Sequence, residues 1–127
     1  MKITNKQFGE FEFSKENILH FKNGLFGFEE YKSFLLIKSE NDLFFWLNSV
    51  DQPELIFPLV GLRVIDDSYP QNDETEAFGI VTLNSDPNNT TVNLKAPVYI
   101  NQDKKEGFQT IIDHDKYMVN YKLFVED

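Results

Sequence analysis

Phe78-Gly79-Ile80-Val81-Thr82-Leu83, then Asn84-Ser85-Asp86-Pro87-Asn88-Asn89, then Thr90-Thr91-Val92-Asn93-Leu94: an apolar run, a block of turn formers and a β-branched run follow one another directly. Asn, Asp and Ser side chains close turns on their own backbone, and Pro presets the turn angle, so the middle block reverses the chain. The flanking runs are short and lack a helical stripe, so the stretch reads as a β-hairpin. Its pattern of short strand and dense turn repeats outward in both directions.

Toward the N-terminus, residues 55–62 are apolar but interrupted by Pro58, which has no N–H for a ladder, so a bent or edge strand is expected. Residues 34–37 and 43–47 flank Glu40-Asn41-Asp42 as a central hairpin, with Trp46 in or beside the core. Gly24 and Gly27 bracket a turn, and Phe28-Glu29-Glu30-Tyr31 is the stretch best suited to a helical turn. Residues 18–21 form a short strand; Phe11 and Phe13 alternate with Glu10 and Glu12, and Gly9 sets Phe8 off that register as a bulge. Toward the C-terminus, residues 66–76 read as an acidic surface loop. Ala96-Pro97 breaks the pattern before a strand at 98–100. A turn at 102–107 leads into 108–112, and Tyr117, Val119, Tyr121, Leu123 and Val125 alternate beyond. About nine short strands with one or two short helical turns give a mainly β chain, barrel-like or sandwich-like, since either architecture limits exposed edges.

The chain has 127 residues, enough for one domain spanning 1–127 around one core. Its 13 Phe, 5 Tyr and 1 Trp favour strands and make aromatic rings the main filling of that core. Net charge is −9, unevenly spread: residues 1–64 hold 7 bases and 9 acids, residues 65–127 hold 5 bases and 12 acids. Such a field repels a phosphate backbone, and Arg63 is the only arginine, so direct nucleic-acid binding is not expected; a basic protein partner is the natural counterpart. With no cysteine, disulfides, thiol nucleophiles and thiolate metal sites are excluded. The first residues lack a signal-peptide pattern and no apolar run is long enough to span a bilayer, so a cytoplasmic, membrane-free protein is expected.

Chemistry is sparse. His20 lies in a strand pattern and His114 in the turn Asp113-His114-Asp115, without metal-ligand spacing. Gly24-Leu25-Phe26-Gly27 lacks the longer glycine frame and the lysine of a phosphate loop. No carboxylates are paired inside an apolar run where burial would tune them for acid-base work, so no catalytic, metal or cofactor residue is assigned and no enzyme is expected. A different use of a β-barrel rich in aromatics, binding a small ligand or oligosaccharide, would need an internal cavity. Asn93-Leu94-Lys95-Ala96-Pro97-Val98-Tyr99-Ile100-Asn101 carries a proline within a strand pattern, the mark of an edge or bend. That edge is either one protected against aggregation or one open to a partner.

Several of these segments together are familiar. Phe21, Gly24-Leu25, Gly27-Phe28-Glu29, Phe34-Leu35-Leu36 and Leu47-Asn48-Ser49-Val50-Asp51-Gln52-Pro53 resemble the first half of the flagellar assembly factor FliW family. Ile80-Val81-Thr82, the stretch from Asn93 to Asn101, Gly107, Gln109 and Tyr117 resemble its second half. The chain departs from the family at Phe26 and at Lys22-Asn23, where proline is common, and over residues 59–65, where the pattern does not align. The resemblance implies a small β-barrel-like protein that binds and antagonises the translational repressor CsrA and also binds flagellin. Flagellin level would thereby be coupled to flagellin translation during flagellum assembly. Aromatic and apolar residues at an edge suit strand addition, so Asn93, Lys95, Pro97, Tyr99, Ile100 and Asn101 are the candidate partner contacts, with Tyr99 and Ile100 as apolar anchors and Lys95 as a polar one, while Gly24, Gly27 and Phe28 are read as structural turn residues.

Overall fold

Strands that are apolar on both faces must be covered on both, and this requirement organises the molecule. In the computed structural model, which describes residues 1–38 and 43–124, the chain forms β1 (Lys2–Asn5), β2 (Gly9–Glu12), β3 (Leu19–Phe21), β4 (Ser33–Lys38), β5 (Phe45–Ser49), β6 (Ile56–Gly61), α1 (Leu62–Ile65), β7 (Glu76–Thr82), β8 (Thr91–Val92), β9 (Val98–Asn101), β10 (Glu106–Gln109) and β11 (Tyr121–Lys122). Single 3-10 turns occupy Lys15–Asn17 and Pro87–Asn89, the latter inside the predicted turn block and capped by the Asp86 carboxylate. The proposed turn at Glu40-Asn41-Asp42, and Val125, lie outside the described residues.

The sheet closes on itself. Neighbours run β7, β6, β5, β4, β3, β10, β9 and back to β7, a ring of seven strands. The architecture is therefore a barrel rather than a sandwich. Every contact in the ring is antiparallel except β3 with β10, which pair in parallel through Glu106 opposite His20 and Gly107 opposite Phe21. Leu19, Phe21, Phe34, Leu47, Leu59, Phe78, Val98 and Ile100 fill the interior. Rings meet edge to face there, as Phe21 does with Phe34 at 5.2 Å and Phe45 with Phe78 at 5.1 Å. These side chains make the ring's interior a packed core.

The alternate residues of the same strands point outward into two further apolar layers. Leu35, Ile37 and Trp46 pack beneath the β1–β2 hairpin, which contributes Ile3 and Phe11. Val60, Ala77, Val81 and Tyr99 pack beneath the segment that follows β6 and beneath the C-terminal segment, which contribute Leu62, Tyr69 and Tyr117. Burial on both faces is why these strands read as nearly continuous apolar runs.

Four local expectations are corrected. Phe28-Glu29-Glu30-Tyr31 makes two successive turns, Phe28 N donating to Leu25 O and Tyr31 N to Phe28 O, and no helix; the helical turn is α1, read from sequence as the end of a strand. The strand carrying Pro58 is interior to the sheet, but its ladder with β7 begins only at Leu59, so the missing N–H at Pro58 breaks no bond on that side. β10 begins at Glu106, inside the predicted turn, and its inward residue is Gly107, because the Phe21 ring lies 2.3 Å from where a Cβ would stand. The alternation from Tyr117 onward yields only the two residues of β11 as strand within the described chain, and Met118 and Val119 are exposed. β1, with Ile3 as its single buried apolar residue, gave too little pattern to be read.

Candidate functional site

The stretch from Asn93 to Asn101 is not an edge. β9 is hydrogen-bonded on one side to β10 and on the other to β7, and Pro97, Tyr99 and Ile100 are buried. β8 and β9 run along the same flank of β7, and residues 93–97 bulge out between them opposite Gly79 and Ile80. The Asn93 side chain holds the bulge, its Oδ1 accepting from Lys95 N at 2.9 Å and Ala96 N at 3.0 Å. Gly79 is required beneath it: a Cβ there would come within 2.5 Å of Val92 and 2.7 Å of Leu62.

The polar backbone exposed by the bulge is taken up by neighbours. Lys95 O accepts from Ile112 N, Ala96 O from the Gln109 amide, Pro97 O from Thr110 N and Leu94 O from the Tyr69 hydroxyl, while Leu94 N donates to Met118 O. The Tyr99 hydroxyl donates to Pro70 O at 2.7 Å. The stretch is thus the joint at which the C-terminal segment and the 66–71 loop are fastened to the barrel. Tyr99 and Ile100 cannot serve as surface anchors; Asn93, Lys95, Ala96 and Asn101, all half-buried, are what the stretch still presents to solvent.

Gly24 and Gly27 both have positive φ, and a Cβ at Gly24 would lie 2.7 Å from Glu29 Cα, so Gly24 is needed for conformation and for space. Phe28 is half-buried and meets Phe57 edge to face at 5.1 Å. Phe26, exposed on that turn, donates its backbone N–H to the Gln109 side chain. His20 is exposed on β3, and His114 closes a turn by accepting from Lys116 N at 3.0 Å. Among the described residues no three His, Asp or Glu side chains converge on a point where a metal could sit.

The surface around α1 carries two open concavities. One open cleft of about 620 Å³ is lined in part by Val64, Asp73, Glu74, Glu76 and Asp103. A second, of about 550 Å³, lies on the C-terminal side between Val64, Ile65, Asp67, Leu94, Tyr117 and Tyr121. Val64 is common to both and is 74% exposed. Arg63 lines both clefts and sets one positive charge against the four acids of the first; its Nε donates to Tyr69 O at 2.9 Å and its Nη2 to Gln71 O at 3.3 Å. The acidic stretch is a surface loop, with Asp67, Ser68, Pro70, Asn72, Asp73 and Glu74 exposed, and these bonds together with the fully buried Tyr69 anchor it to the barrel.

Lys116 Nζ lies 3.1 Å from Asp66 Oδ2 and ties the C-terminal segment to that loop. The Ser68 hydroxyl, and then Lys116, hold the Asp66 carboxyl down to about 2, and the same contact raises the Lys116 ammonium. Burial, with the neighbouring tyrosines adding to it, pushes the Tyr69 phenol far above its ordinary value; burial also raises Tyr99. Nothing in this arrangement resembles a nucleophile with a base; what it offers is shaped, charged, partly apolar surface.

The family profile described as FliW protein matches residues 2–71 and 61–123, nearly the whole chain. The chain belongs to the FliW family. Flagellar assembly factor FliW of Caldicellulosiruptor saccharolyticus is 33% identical, the match covering 96% of this chain and 90% of that protein. FliW of Clostridium botulinum is also 33% identical, over 100% of this chain and 99% of its own length. A crystal structure of the flagellar assembly factor FliW superposes with a TM-score of 0.89 at 31% identity, covering 99% of each chain. The FliW relatives are named as assembly factors. The FliW barrel therefore accounts for the closed ring, and the segments through which the sequence resembled the family are those that build its joints. Among the described residues no helix is long and apolar enough to cross a membrane.

Proposed function

We propose that the chain is a non-enzymatic adaptor of flagellum assembly that binds and antagonises the translational repressor CsrA and also binds flagellin. Accumulating cytoplasmic flagellin would take the adaptor away, and the released CsrA would then repress flagellin translation. The observation that carries this reading is the full-length agreement in family and fold with flagellar assembly factors. Two physical features support it. The clefts flanking α1 are open, and the one lined by Asp73, Glu74, Glu76 and Asp103 is acidic, which suits protein segments rather than an enclosed substrate. A net charge of −9 brought beside CsrA would disfavour RNA there electrostatically.

The test is a pulldown with the tagged chain from flagellated cells, read by mass spectrometry. CsrA and flagellin are the expected captures, in separate rather than joint complexes. Recovery of neither would overturn the proposal.

A further inference from the structure

We propose that the cleft between α1 and the C-terminal segment, together with the apolar strip beside it, is a docking surface for a basic, amphipathic segment of a partner protein. This rests on the reading of the chain as a protein-binding adaptor and goes beyond it by naming the surface and the chemistry of the segment.

The apolar half of the case is one of position. Val64, Leu94 and Tyr121 all line the cleft, and Leu94 N is bonded to Met118 O, which brings the C-terminal segment alongside. On that segment Met118 is 49% exposed and Val119 58% exposed, and Tyr121 and Phe124 are exposed as well. Single exposed apolar side chains are ordinary. A run of them on one short segment, bordering a cleft that also shows Val64, is the pattern that marks an interaction surface. The segment is held by its backbone, through Leu94 N to Met118 O, Leu123 N to Thr90 O and the pairing of β11 with β8, which leaves these side chains outward.

Charge selects the occupant. Asp67 is exposed at the rim and has no ion-pair partner among the described residues. Lys116 pairs with Asp66, and Arg63, held by backbone carbonyls, keeps its charge, so the cleft's own two acids and two bases balance and the acidic field comes from its neighbour. Beyond α1 the other cleft adds Asp73, Glu74, Glu76 and Asp103 to the same field. An acidic apolar segment would be repelled, and a neutral one would leave the rim unanswered. A segment with an apolar face for Val64, Tyr121 and the strip, and with Lys or Arg at its border, matches both features.

The experiment has two arms. In the first, backbone amide NMR of the chain is recorded during titration with an amphipathic peptide of Leu and Lys, and with its twin carrying Glu for Lys. Shifts concentrated at residues 64–67 and 117–122 with the Lys peptide, absent with the Glu twin, are expected. Shifts located elsewhere, or equal for both peptides, would overturn the docking surface. In the second arm, affinities for CsrA and for flagellin are measured with wild type, Val64→Asp and Asp67→Lys. Both sites are exposed, so unchanged circular dichroism checks the fold. A loss of about tenfold or more for at least one partner is expected, the size of a central contact. Both variants binding both partners as wild type does would sink the proposal. Because the peptide arm needs neither protein, failure of wild type to bind CsrA or flagellin would count against the proposed function alone.

Discussion

Asn48 sits fully buried on β5 in a layer otherwise made of Leu35, Ile37 and Trp46. Its side chain accepts from Asn5 Nδ2 at 2.8 Å and donates to Pro53 O at 2.9 Å and Ser49 O at 3.1 Å, so one amide joins the N-terminal hairpin, the strand and the turn after it. Removing a partner from such a network leaves buried groups unsatisfied. Asn48→Ala should therefore lower unfolding stability in urea by about 1–3 kcal/mol, and Asn48→Asp should not restore it. Asp66 carries a pH signature. Its folded carboxyl is lowered from 3.8 to about 2, so the stability it contributes is complete above the ordinary value and is lost as pH falls through about 2. The thermal midpoint of Asp66→Asn should lie below wild type near neutral pH, and the gap should close across that interval. Tyr69 and Tyr99 behave oppositely. Their phenols are raised above 10.0, so the fold favours the neutral form, and their contribution is complete below that value and lost as pH rises beyond it. In an alkaline titration followed by tyrosinate absorbance, these two should ionise only as the chain unfolds.

At the scale of elements, β4 and β5 were readable as nearly continuous apolar runs bounded by turn residues, because both faces of those strands are covered. Proline misled twice for one reason. A strand residue without an N–H suggests an edge, yet Pro58 lies just before a ladder begins and Pro97 lies at the exit of a bulge, so both sit inside the sheet without breaking a bond it needs. The bulge could not be read from residues 93–101 alone. What makes it possible is Gly79 on another strand, along with carbonyl acceptors filled from residues 109–112. The edge reading took the same stretch for a surface of partner contacts, and its physical role as a joint appeared only in three dimensions. Gly79→Ala tests that role. The methyl would meet Val92, Leu62 and the Asn93 carbonyl at 3.0 Å or less, and overpacking of this kind costs about 1–3 kcal/mol. Hydrogen exchange should then speed up first at Ile112 and Leu94, whose amides are bonded across the joint. Faster exchange confined to β4 and β5 would contradict the assignment.

For the whole molecule, closure of the seven-stranded ring leaves few free edges, and the two outer apolar layers are covered by the hairpin and the C-terminal segment. Aromatic abundance and strand spacing made a barrel or a sandwich legible. The choice between them depended on the two-residue parallel contact of β3 with β10, too short to leave a pattern. The docking surface was legible only as an acidic second half of the chain, since Val64, Leu94 and Tyr121 lie far apart in sequence. If electrostatics is the main cause of antagonism, release of CsrA from RNA by the chain should weaken steadily over a rising salt series, as exposed charges are screened. Salt-insensitive release would reject that cause. The most direct measurement is calorimetric titration of the purified chain with CsrA, followed by addition of flagellin to the same cell. Saturable binding without RNA, then loss of the CsrA complex as flagellin is added, is the predicted result; no binding to either protein under conditions where the chain is folded would contradict it.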